Sequence, residues 1–187
     1  MWEFVRENPI AGVIVACEFG LWFLLGLGML LRYLVRLRRT STVVLASIPL
    51  LDVVLVVAVA LDLNRGADVG MVHGLAGIYL GFSVAFGPSI VRWADARFAF
   101  RFAGGPRPVK VPKRGPERRA HLWREWYRVV TAATIASVTL FGLAVLFANP
   151  DQAQTLYWWI GRCWGIVGIW FLAGPAFERS DEPSRAH

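Results

Sequence analysis

The chain has 187 residues, of which 56% are hydrophobic and only 18% charged, with a mean hydropathy of +0.50. A soluble domain carries nearer a quarter charged residues, and here the apolar excess gathers in five runs of about 20 residues, the length of a bilayer-spanning helix. A formal charge of +7 and pI near 10.2 would point to nucleic acid in a soluble protein; no nucleic-acid motif accompanies it, so the arginines are read as a topology signal that also attracts anionic lipid.

The expected fold is all-α: one polytopic membrane domain over residues 1–187, with five transmembrane helices and little left for a soluble core. The first helix is placed at 9–33, after a net acidic N-terminus, and its apolar run is too long for the h-region of a cleaved signal. Asn8-Pro9 starts it, since proline fits a first helical turn. It runs into Arg32, Arg36, Arg38 and Arg39, a cluster that belongs on the cytoplasmic side. The second helix, 42–62, carries Pro49, which removes a hydrogen bond to Leu45 and predicts a kink. The turn after it, Asp62 to Asp68, is short and slightly acidic. The third helix, 70–91, has small-xxx-small pairs at Gly70/Gly74 and Gly77/Gly81, suited to close helix packing in lipid. Pro88 should kink or end its inner half.

Residues 92–125 form the expected cytoplasmic basic loop. Trp93 to Phe102 interleaves arginine with phenylalanine, as a headgroup-level segment would. Gly104 to Pro116 reads as an extended, proline-punctuated linker. Trp123, Trp126 and Tyr127 should anchor the fourth helix, 126–148, at the interface. That helix is rich in hydroxyls, with Thr131, Thr134, Ser137 and Thr139. The fifth, 156–177, has a glycine face at Gly161, Gly165 and Gly168. Both basic segments then lie inside, which puts the N-terminus outside and the C-terminus in the cytoplasm.

Ionisable residues inside a bilayer are costly and point to function. Glu18, Asp52, His73 and Arg162 are the set. At about 1.5 Å per residue, His73 lies roughly 5 Å deep from the outer surface, Arg162 about 9 Å, Glu18 about 12 Å and Asp52 about 15 Å. Four helices thus bring polar groups to the outer half. One expectation is a polar cavity that binds a proton or cation at Glu18 or Asp52, with Arg162 holding one carboxylate ionised and His73 relaying protons. The other is a structural Glu18–Arg162 pair that fixes helix register; Asp52, deepest and flanked by valine and leucine, needs a partner or a proton in either case. Cys17 and Cys163 fall at similar depth and are read as core residues before a disulfide. With one intramembrane histidine and no metal-ligand spacing, neither haem nor another cofactor is expected, and no metal. No nucleophile–base arrangement marks an enzyme.

The segment His73-Gly74-Leu75-Ala76 through Gly81-Phe82-Ser83, then Gly87-Pro88-Ser89 and Trp93-Ala94-Asp95 to Phe102-Ala103-Gly104-Gly105, resembles a group of uncharacterised bacterial integral membrane proteins of the YmcC type. The resemblance covers the first three helices and the start of the basic loop and is weaker beyond. It implies a multi-pass protein of the bacterial inner membrane and carries no catalytic residues across.

The leading functional expectation is small transport or conductance of a proton, cation or cationic solute through Glu18, Asp52, His73 and Arg162. The alternative is a non-catalytic accessory protein that binds a partner or anionic lipid headgroups through Arg97, Arg101, Arg107, Lys110, Lys113 and Arg114. A homodimer, or a membrane-protein partner, would use the glycine faces of the third or fifth helix; internal packing would use them equally well.

Overall fold

Long apolar runs with no water around them must satisfy every backbone N–H and C=O internally, and helices do so. A computed structural model describes residues 9–102, 104–108 and 115–176, with the side chains of 9–11, 14 and 18 left out. Its elements, in order, are α1 (Pro9–Tyr33), α2 (Arg38–Ala46), α3 (Ile48–Asn64), α4 (Met71–Phe102), α5 (Pro116–Leu146) and α6 (Pro150–Ala173), with no strand among the described residues. Among the described residues, five helical stretches are long and apolar enough to cross a membrane, α2 and α3 together making the second.

The junction of α2 and α3 is the kink expected from Pro49. Ser47 separates the two helices, and Pro49 sits in the first turn of α3, where its missing N–H leaves no gap. The Ser47 hydroxyl donates to the Val44 carbonyl at 2.7 Å. Pro88, by contrast, stays inside α4 without ending it.

Helices α4 and α5 reach well into the segment expected to be a loop. Arginine marks where the bilayer stops, and a helix need not stop there if its apolar side still has something to cover. In α4 that side carries Ala94, which is buried, and Phe98, whose ring stacks on Tyr33 of α1 at 4.2 Å. Beyond Phe102, Gly104 takes φ +63 and lets the Gly105 N–H donate back to the Ala99 carbonyl. Helix α5 begins at Pro116 behind Gly115, whose φ of +100 a side chain would strain. Its aromatics point to α6 as much as to lipid: Trp126 and Trp123 meet Phe171, and the Trp126 indole N–H donates to the Val167 carbonyl.

Packing follows the chain order, α1 on α2 and α3, α3 on α4, α4 on α5, and α5 on α6, with α4 also touching α6. Glycine makes the close approaches. A side chain at Gly81 would run into the Ala132 carbonyl of α5, and one at Gly74 into the Trp159 ring of α6. Gly74, Gly77 and Gly81 are therefore used inside the molecule, whereas Gly87 of the same helix and Gly161, Gly165 and Gly168 of α6 face open space. The core centres on Val59, Ala76, Leu140 and Leu156, none of them exposed. Of the hydroxyls on α5, Thr131, Thr134 and Thr139 donate to carbonyls of their own helix, and Ser137 accepts from the Trp164 indole of α6.

Two ends can be distinguished. One carries the turns at 65–70 and 147–149, and the other carries the turn at 34–37 and the arginine-rich segment. At the first, Asn149 and Gln152 cap α6 reciprocally. The Gln152 amide then donates across to the carbonyls of Ala67 at 2.6 Å and Leu63 at 3.3 Å.

Candidate functional site

Helices α3 and α4 run antiparallel, and their polar residues meet level by level. At the turn end, His73 Nε2 lies 3.3 Å from Asp62 Oδ2. The Gly70 backbone N–H donates to His73 Nδ1 at 3.2 Å. An amide can only donate, so a neutral imidazole accepts at Nδ1 and carries its proton on Nε2, which is near the carboxylate but makes no hydrogen bond among the described residues. One level deeper, Val59 and Ala76 close the interface with no exposed surface. A helix rise of about 15 Å over ten residues leads from Asp62 to Asp52 and from His73 to Ser83.

Asp52 is 1% exposed. Neither of its carboxylate oxygens has a hydrogen-bond partner among the described residues. Ser83 of α4 is the polar side chain facing it, and that hydroxyl donates to the Leu80 carbonyl at 3.2 Å. Of the residues singled out in the sequence, the structure thus places Asp52 and His73 on one interface at different depths. It puts Arg162 elsewhere. Arg162 is exposed on α6, with its guanidinium 4.9 Å from the centre of the Trp159 ring. Glu18 lies on α1, and its side chain falls outside the described residues. Cys17 and Cys163 sit in separate core clusters with no disulfide between them. Among the described residues, no group of three or more His, Cys, Asp or Glu gathers as a metal site would.

A second polar constellation lies at the arginine end, and the sequence reading passed over it. Arg32, at the close of α1, clasps Asp95 of α4 through both Nε and Nη2. The Tyr33 hydroxyl donates to the same carboxylate at 3.1 Å, and Arg32 Nη1 donates to Thr42 of α2 at 3.0 Å. Three helices are tied by one guanidinium. The available signal was that Asp95 is the one acid between Arg92 and Arg107. Around it, Arg97 stacks over Trp93 at 4.7 Å and Arg107 over Phe100 at 5.7 Å. Arg101 is exposed, and Lys110, Lys113 and Arg114 lie outside the described residues.

Over 167 residues the chain is 34% identical to the uncharacterized membrane protein YmcC of Bacillus subtilis (strain 168), in an alignment that covers 88% of this chain and 89% of that protein. The chain belongs to the YmcC family. No family model matches it, and no solved structure does. An alignment of that length runs past the third span into α5 and α6. With its five apolar helices, this YmcC-family chain is a membrane protein.

Proposed function

We propose that this protein binds and conducts protons or small cations across the bacterial cytoplasmic membrane, with Asp52 as the binding group and no enzymatic activity. The observation that carries the reading is a fully buried carboxylate that meets no cation among the described residues and has only the Ser83 hydroxyl facing it. An ionised carboxylate in that position costs several kcal/mol, so Asp52 at rest holds a proton or a cation. The Asp62–His73 pair stands at the mouth of the same interface, where a proton would enter. The packed level of Val59 and Ala76 is then the barrier between entry and binding group, and conduction requires α3 and α4 to part there. Orientation follows from the arginines, with the N-terminus outside and the arginine end in the cytoplasm.

The test is proton and monovalent-cation flux in proteoliposomes, comparing wild type with Asp52→Asn and Glu18→Gln. We expect Asp52→Asn, which can take up no proton, to lower flux by about tenfold or more with the protein still folded. Absence of flux in the wild type sinks the reading.

A second reading has its own observation: Arg97 and Arg107 are held against aromatic rings at the arginine end, where they suit an anionic membrane surface or an acidic partner. Replacing Arg97, Arg101 and Arg107 together with glutamine should reduce the anionic lipid retained through purification; undiminished retention counts against it.

A further inference from the structure

Between α1 and α2 the chain reverses within residues 34–37. Arg36 sits there at φ +62, in the left-handed region. That conformation costs a non-glycine residue about 1 kcal/mol or more. The turn sets Arg36 and Arg38 on the rim of a cleft of about 420 Å³. Its floor is the stacked pair of Tyr33 and Phe98, with the Arg32–Asp95 clasp at its back. Asp95 cancels the charge of Arg32. Arg36 and Arg38 are in no ion pair among the described residues, Arg38 sharing only the field of Asp95, so three arginines line the cleft against one carboxylate.

Donors converge on the same space. A guanidinium has five N–H groups, and Arg32 uses three, leaving one each on Nη1 and Nη2. Leu37 gives α2 no side-chain cap, and the positive end of that helix's dipole lies at Arg38 on the cleft rim. Beside the cleft, Leu34, Leu37 and Phe102 expose apolar surface. Cationic donors around an aromatic floor, edged by bare hydrocarbon, suit an amphiphile with an anionic head.

We propose that this cleft binds the phosphate of an anionic phospholipid headgroup. Arg36 and Arg38 take its unesterified oxygens, and the acyl chains lie along Leu34, Leu37 and Phe102. The bidentate geometry of arginine matches phosphate, and the volume falls within the range of small-ligand pockets. The site is independent of Asp52. It also uses none of the arginines of the second reading above, so the two lipid proposals fail separately.

Native mass spectrometry of the full-length protein in detergent, titrated with phosphatidylglycerol, tests the site. Phosphatidylcholine and inorganic phosphate serve as comparison and competitor. Arg36→Gly keeps the left-handed turn while removing the charge, and Arg38→Gln removes the other. Together they should weaken phosphatidylglycerol binding about tenfold or more, taking a few-fold for each arginine at a membrane surface. Arg65→Gln, an exposed arginine at the other end, should leave binding unchanged. Wild-type affinity in the double variant overturns the proposal. So does equal binding of phosphatidylcholine, or a loss as large in Arg65→Gln. Displacement of the lipid by equimolar inorganic phosphate would show a free-phosphate site and overturn the lipid assignment.

Discussion

Asp52 and Asp95 are the same side chain on neighbouring long helices, and their surroundings differ in every respect. Asp95 accepts three hydrogen bonds from the end of α1, two from Arg32 and one from Tyr33. Asp52 is deeper and accepts none among the described residues. A carboxylate that holds helices together is met by donors on the helix it holds. One left bare in a packed interface is available to something that arrives from outside the chain. The contrast separates an acid tied into the architecture from one that the packing leaves without a hydrogen bond among the described residues.

The largest effect on folding should come from the architectural side. Arg32→Gln leaves Asp95 with the Tyr33 hydroxyl alone and should cost about 2 kcal/mol, since hydrogen bonds to charged groups are worth about 1.5–3 kcal/mol and Asp95 is partly exposed. Reversible unfolding in mixed detergent micelles reads this; a loss below about half a kcal/mol would make the clasp no different from a surface pair. Asp52→Asn comes next, with a change in stability under about 1 kcal/mol in either direction, because no native hydrogen bond is lost. A loss near that of Arg32→Gln would reveal a partner for Asp52 and erase the contrast. The smallest effect belongs to Thr42→Val, about 0.5 kcal/mol. Arg32 loses one neutral acceptor there, and the threonine hydroxyl also donates to its own helix at Arg38. An effect as large as that of Arg32→Gln would move the centre of the clasp from α4 to α2.

The five apolar spans could be read in the sequence because burial in lipid imposes a run length that composition displays directly. Asp52 could be picked out for the same reason, as an acid alone among valine and leucine. The full length of α4 and α5 could not. Hydropathy registers where the membrane ends, and it does not register that Phe98 finds Tyr33 or that Trp126 finds Phe171 beyond that limit. Partnership was hidden too. Arg32 and Asp95 are 63 residues apart, and only the up-and-down order of the spans, which runs α1 and α4 in the same direction, brings them level. Depth alone also left the surroundings of Arg162 open. It fixes only height along a helix, and the face of α6 that carries Arg162 is exposed, with the guanidinium against its own Trp159.

Gln152 bears on how the molecule is made. Its amide supplies hydrogen bonds to the carbonyls of Leu63 and Ala67, 89 and 85 residues earlier in the chain. The turn between α3 and α4 is therefore synthesised long before the group that fastens it. During translation the Asp62–His73 pair sits beside two carbonyls that water must serve until the last helix is inserted. A ribosome-stalled chain ending before α6 should carry that turn open to solvent-borne labels, and release of the final helix should close it.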